Sequence, residues 1–413
     1  MADWQIVSGG VTAPKGFRAG GITAGLKPSG SPDLALIVSD VDAIAAAVFT
    51  TSQVRAACVD YCRQQLQAKP TARAILCNAG QANAATGAQG WADAVESAQL
   101  TAQALNISPE QVLIASTGVI GQRIKMEQLR SGIPQLVEAL SEDGSDHAAR
   151  AIITTDLVPK TIALELTVDH RPVRIGGICK GSGMIHPSMA TMLAFVTCDA
   201  AISPHLWQEM VSRAANKSFN QVTVDGDTST NDCLIALANG ESRTPAITEP
   251  GANAEKLEAA LTEVCMHLAK SIARDGEGAT CLIEVQVSGA ADNEAARKIA
   301  RTIAGSSLFK AAVYGRDPNW GRIAAAAGRA GVLFEQNELR IQLGDFLLLE
   351  NGQPLAFDRV AASNYIKQAA AGEYLKQDTV LVSLSVGNGS GSGTAWGCDL
   401  SYDYVKINAD YTT

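Results

Sequence analysis

Short apolar runs and helix-spaced apolar positions alternate along this chain. LALIVS (34–39) and RAILC (73–77) have the length and near-continuous apolar character of strands buried on both faces. From Trp91 to Leu105, the residues Val95, Ala98, Ala102 and Leu105 recur at helical spacing. Ser108 ahead of Pro109 and Glu110 is a helix-start signal, and VLIAS then runs into Thr117 and Gly118, which read as a turn after a strand. Residues 125–140 have a helical period that Gly132 and Pro134 are expected to interrupt. TIALELTVD and PVRIGGI flank a turn at His170–Pro172 and predict a hairpin.

The second half continues the alternation. A helix is predicted from Pro204 to Phe219, followed by VTVDGD and a long amphipathic helix with Leu257, Leu261, Val264, Leu268 and Ile272 on one face. Strand CLIEVQV (281–287), helix 294–303 and strand LVSLSV (381–386) follow. There is no internal repeat and no low-complexity linker. This mixed order predicts an α/β protein with strands sandwiched between helices. At 413 residues the chain exceeds one ordinary core and suggests two or three domains or one two-lobed unit.

Composition narrows the function classes. Hydrophobic residues at 46% and charged residues at 18% describe a soluble globular chain, while aromatics at only 5% favour close backbones and alanine-rich helices. A formal net charge of -9 without any basic run argues against a nucleic-acid partner, which needs a cationic surface. MADWQIVSGG lacks the charged and apolar regions of a secretory signal, and no apolar run approaches the ~20 residues of a membrane span. The expectation is a cytoplasmic protein with no membrane partner. Nine cysteines without a CxxC pair read as reduced core residues. Cys58 and Cys62, one helical turn apart with no histidine pair nearby, make a poor metal site. No metal and no disulfide framework are expected.

The segment Lys180–Phe195, KGSGMIHPSMATMLAF, is richest in chemistry. Gly181, Gly183 and Pro187 break regular structure, and TMLAFVTC (191–198) reads as a strand buried on both faces. On spacing alone this is a glycine-rich turn entering a core strand. The same residues also suit self-processing. A threonine freed at its α-amine is a complete nucleophile, because an amine of pKa about 8 takes the hydroxyl proton. Ala190 offers little bulk against attack, the β-branch of Thr191 restricts its χ1, and the glycines permit backbone angles that other residues resist.

The pattern K-G-x-G-M-x-x-P-x-x-A-T-M-L resembles the self-cleaving signature of the ornithine acetyltransferase family, the glutamate N-acetyltransferases of the cyclic arginine pathway. Further stretches resemble the same family in the same order. They are GVTAPKGFRAGGITAGLK (10–27), NAGQANAATG (78–87), STGVIG (116–121), TTDLVPK (154–160), DGDTSTND (225–232), DGEGAT (275–280), DPNWGR (317–322) and the terminal NADYTT. Together these span nearly the whole chain.

The resemblance implies an N-terminal-threonine nucleophile enzyme cleaved between Ala190 and Thr191. Residues 1–190 and 191–413 would be two subunits that stay associated, generally as two copies of each half in a heterotetramer. Thr191 would carry the acetyl group from N2-acetyl-L-ornithine to L-glutamate in a ping-pong reaction. Thr117 and Gly118 would form the oxyanion hole, and Thr154, Lys180, Thr191, Glu277, Asn408 and Thr413 would bind substrate. Without the resemblance, Thr117–Gly118 is a turn, and an isolated Lys180 or Glu277 is a solvated charge. No cofactor is expected. Some members of the family also use acetyl-CoA as donor substrate, and the motifs do not separate the two kinds.

Two other readings stay open on sequence. One is a self-processing amidase or aminopeptidase of related architecture, with water as acceptor; the other is an uncleaved binding protein that has lost the chemistry. Asp225, Asp227, Asn231 and Asp232 suggest a calcium loop, but the expected terminal glutamate is missing and structural hydrogen bonding fits better. The glycines at 387, 389, 391 and 393 fit no nucleotide motif. DPNWGR receives no chemical step. His186 lies inside the signature, but the threonine amine would make it dispensable.

Overall fold

The computed structural model describes residues 4–186 and 192–410. Strands β1 (Trp4–Val7), β2 (Phe17–Ile22) and β3 (Leu34–Phe49) lead to α1 (Ala57–Ala68), β4 (Thr71–Gln81), α2 (Gly87–Leu105) and β5 (Val112–Val119). Next come α3 (Met126–Glu138), α4 (Ser145–Ile152), β6 (Lys160–Val168), β7 (Arg171–Lys180), β8 (Leu193–Cys198), α5 (Pro204–Lys217), β9 (Cys233–Ala238) and α6 (Ala252–Arg274). The nine strands form one mixed sheet in the order β1-β6-β7-β8-β9-β3-β4-β5, with β2 paired to β3.

Both faces of this sheet are covered. Successive strand residues point to opposite faces, so Leu193 and Phe195 of β8 join a core shared with α1 to α4. Ala194, Val196 and Cys198 join another shared with α5 and α6. A strand covered on both sides must be apolar throughout, and all six residues of β8 are buried.

The chain continues with β10 (Leu282–Ala290), α7 (Asn293–Ala304), α8 (Ser307–Tyr314), α9 (Trp320–Gly328), β11 (Arg340–Leu343), β12 (Phe346–Glu350) and β13 (Gln353–Pro354). It ends with α10 (Arg359–Ala370), β14 (Thr379–Ser385), β15 (Gly391–Cys398) and α11 (Tyr402–Asp410). Six strands form a second sheet, β13-β12-β11-β14-β10-β15. Helix α6 contributes to the core that also takes Leu282, Trp396 and Cys398 from this second sheet. Residues of α7, α9 and α10 cover its other face. The sandwich of strands between helices expected from the sequence is therefore present in the nine-stranded sheet, whereas the second sheet is covered by helices on one face and alternates outward on the other, as β10 and β14 show.

Three local expectations change. Helix α3 runs unbroken through Gly132 and Pro134. Pro134 is exposed, so the Arg130 carbonyl it leaves unbonded faces water, and a Cβ on Gly132 would sit 2.8 Å from that of Ala24. Thr117 and Gly118 lie inside β5, opposite Ala79 and Gly80 of parallel β4, instead of in a turn. The β6–β7 turn is Asp169–His170, both at positive φ, while Pro172 already pairs with Thr167. The end of the late glycine run lies in β15, where Cβ atoms at Gly391 and Gly393 would strike Asp292 and Arg297 at the start of α7. Close helix-to-strand contact excludes side chains there.

Candidate active site

The end of β5, the end of β7 with the loop that follows it, three further loops and helix α11 converge on one cavity of about 230 Å³. That volume lies below the ~300–1,000 Å³ of drug-sized pockets and suits a small metabolite. Lys180, the last residue of β7, is 3% exposed, and its Nζ reaches to 3.4 Å from the Thr117 hydroxyl, also buried. Gly118 has φ +125°, and a Cβ there would fall 2.3 Å from the Gly80 carbonyl carbon. Glycine is required at this position both for backbone angle and for the approach of the two strands.

The loop after β7 is tied down by acidic groups on other segments. Asp156 accepts from the Gly181 N–H at 2.7 Å and from the Thr154 N–H at 3.0 Å. The Ser182 hydroxyl donates to the Asp275 carbonyl, and the Glu277 N–H donates to the Ser182 carbonyl. Asp225 accepts from the Met184 and Ile185 N–H groups at 2.5 and 2.9 Å. Met184 is left at φ +56°, a left-handed angle that is uncommon for a side-chain-bearing residue. Of the two glycines expected to permit unusual angles, Gly181 has φ +159°, whereas Gly183 serves for space: its missing Cβ would sit 2.5 Å from the Glu277 carboxyl group.

Glu277 arrives on the α6–β10 loop, is 7% exposed, and accepts from the Asn408 side chain of α11 at 2.7 Å. Beneath the loop, Lys160 is fully buried with its ammonium 2.6 Å from both Asp156 and Asp275. Burial opposes the charge on Asp156, but Lys160 and Lys180 override it and hold the carboxyl well below its usual range. Burial likewise opposes the Lys160 ammonium, and the two carboxylates hold its pKa above the ordinary lysine value.

Other groups shift the opposite way. Burial raises Asp225 despite three N–H donors, and raises Asp232 well above the ordinary range. Burial, followed by the charges of Asp225 and Glu277, raises the Tyr404 phenol. Lys27, which donates to the carbonyl of Ile153, is lowered by burial. The His186 pKa is lowered by burial and by Arg301, and the ring contacts Thr223 away from the cavity lining.

Thr117, Gly118, Thr154, Lys180, Glu277 and Asn408, singled out from sequence, all line this cavity. Ala190, Thr191 and Thr413 lie outside the described residues. Asp225, Asp227, Thr155, Met184, Asn231 and Tyr404 also line it, although sequence reasoning assigns them no role in substrate binding. Several sit in the DGDTSTND block, whose signal was the family-like motif itself. DPNWGR does not line the cavity: Asn319 caps α9 through the Arg322 N–H, and Asp317 pairs with Arg359. All nine cysteines are free and buried, with burial raising Cys58 to about 11 and Cys265 to about 12. Among the described residues no helix is long and apolar enough to cross a membrane.

A model of the ArgJ family matches residues 18–413. The chain is 78% identical over 413 residues to the arginine biosynthesis bifunctional protein ArgJ 1 of Nostoc sp., covering all of both. It is 76% identical to the corresponding ArgJ of Synechocystis sp., again over both full lengths. Among solved structures, it is similar to that of the arginine biosynthesis bifunctional protein ArgJ of Bacillus halodurans. There the identity is 44% and the TM-score 0.50, with 52% of this chain and 98% of that chain covered.

Proposed function

The chain belongs to the ArgJ family, and on that premise we propose that it moves an acetyl group from N2-acetyl-L-ornithine to L-glutamate through Thr191. The observation that carries this reading is convergence. Six residues from five separate segments, chosen from sequence alone, line one amino-acid-sized cavity that places a lysine and a carboxylate inside it.

Maturation comes first. The Thr191 hydroxyl attacks the Ala190 carbonyl carbon, the peptide C–N bond breaks to give an ester and a free α-amine, and water opens the ester. Residues 1–190 then end in a carboxylate, and residues 191–413 begin with the nucleophile. In turnover the α-amine takes the hydroxyl proton as the oxygen attacks the acetyl carbonyl. The Gly118 backbone and Thr117 hydroxyl stabilise the tetrahedral oxyanion, with the Lys180 charge beside them. Collapse passes the proton to the departing amine of ornithine and leaves an acetyl-threonine ester, which the glutamate amine then attacks.

Lys180 suits the substrate carboxylate. Glu277, fixed by Asn408, suits the side-chain ammonium of ornithine. Both amides join acetyl to an α-amine, so the exchange is close to thermoneutral and requires no cofactor. Acetyl-CoA is a second acetyl donor on this reading, in keeping with the bifunctional names of the relatives. The cleaved halves remain together as a heterotetramer in the cytoplasm, with Thr154 and Thr413 completing the substrate contacts.

A denaturing gel and an acetyl-transfer assay test the reading. Wild type gives two bands, the second starting at Thr191, and releases ornithine rapidly only with glutamate present. Thr191→Ala gives one band and no turnover. A split Thr191→Ala protein contradicts the scheme, and ornithine release independent of glutamate supports a hydrolase instead.

A further inference from the structure

We propose that Asn231 and Asp232 form a paired positioning device, setting the peptide that follows the nucleophile against the strand that carries the oxyanion donors. This rests on the reading above and gives a role to the end of the DGDTSTND block. The Asn231 side-chain amide donates to the Ser116 carbonyl at 2.8 Å and to the Ala82 carbonyl at 2.7 Å. The first of these carbonyls belongs to the peptide joining Ser116 to Thr117. The next residue, Asp232, accepts from the Met192 N–H at 2.9 Å, and that N–H belongs to the peptide joining Thr191 to Met192. Adjacent residues, one ~3.8 Å Cα step apart, therefore hold the peptide that follows the nucleophile and the peptide that precedes the oxyanion donors.

The device is itself held rigid. The buried Thr50 donates its N–H to the Asp232 carbonyl and its hydroxyl to the Ser229 carbonyl, and the Ala56 N–H donates to the Thr230 carbonyl. The Thr230 hydroxyl donates to Asn231 Oδ1 at 2.6 Å, which fixes the orientation of the amide. Cys233 closes the register by donating its N–H to the Met192 carbonyl. Asp232 is fully buried, and its Oδ2 has no hydrogen-bond partner among the described residues. Burial outweighs the Met192 N–H and the nearby Lys180 charge and holds its pKa well above the ordinary range, in agreement with a neutral acid. An asparagine therefore matches both its shape and its charge, and can still accept from Met192.

The test uses full-length Asn231→Ala, Asp232→Ala and Asp232→Asn, with splitting followed on gels and steady-state acetyl transfer measured on the split protein. Misplacement of reacting groups by about 1 Å costs roughly a hundredfold. Both alanine variants are thus expected to slow splitting and kcat by about that factor, with KM for N-acetylornithine changed no more than about threefold. Asp232→Asn restores most of the rate lost in Asp232→Ala. Alanine variants that split and turn over at wild-type rates overturn the proposal, as does a loss expressed in KM alone. If Asp232→Ala fails to fold, Asn231→Ala and Asp232→Asn decide: a folded Asp232→Asn slowed a hundredfold overturns it. A wild type that never splits defeats the underlying reading instead, before any variant is compared.

Discussion

Residues 181–186 and 192–198 flank the same short segment, and the protein holds them by different means. On the upstream side there is no ladder: Asp156, Asp225, and the backbone of Asp275 and Glu277 grip the loop one hydrogen bond at a time. On the downstream side, β8 is paired along its length to β7 and β9 and buried on both faces. Side-chain clamps can hold a backbone in an uncommon conformation such as that of Met184, whereas a ladder enforces regular geometry. On the proposed reading, in which the chain is cut between Ala190 and Thr191, this division would let the carbonyl side be held under strain while the nucleophile side stays rigid.

The largest expected effect isolates the upstream side. Removing residues 408–413 takes away the Asn408 contact to Glu277 and is predicted to abolish turnover while splitting continues; full activity in the truncated protein would refute a role for the terminus. Next, Lys160→Ala leaves Asp156 and Asp275 facing each other without their cation, and breaking such a buried pair costs about 3–5 kcal/mol. Denaturant unfolding should show that loss, and the gel should show slower splitting because the loop has lost its base. Phe195→Leu on the downstream side changes only packing and should cost about 1–1.5 kcal/mol. Its splitting rate should be unaltered, and a slowed rate would show that rigidity on this side is also finely set.

The smallest effect is a contrast in pH dependence. Asp156 has a depressed folded pKa, so its contribution is present above the unfolded value of about 3.9 and fades as pH falls through the folded one. Asp232 has a raised folded pKa, so its contribution is complete below about 3.9 and is lost as pH rises. The stability deficit of Asp156→Asn should therefore shrink below about pH 4, while Asp232→Asn should gain on wild type as pH increases above that. Urea midpoints between pH 3 and pH 8 check both signs, and parallel curves would remove the contrast.

Local patterns revealed much of the fold and part of the site. Apolar runs such as 34–39 and 191–198 announced β3 and β8 because covered strands must be apolar. The motifs around Thr117, Lys180 and Glu277 pointed to residues that line one cavity. What stayed hidden depends on contacts distant in sequence. Nothing near Gly391 or Gly393 says that α7 will press against them. No spacing rule joins Asn231 to Ser116, 115 residues away. Pro134 misled because its cost depends on which way the helix faces, a property fixed by α3 packing against the sheet.

Intact-mass spectrometry of the purified protein, mixed with N-acetylornithine and no glutamate, tests the central claim most directly. The account predicts two chains, the second beginning at Thr191 and carrying one acetyl group at that residue, which disappears when glutamate is added. A single continuous chain that still moves acetyl groups, or an acetyl group found elsewhere, would contradict it.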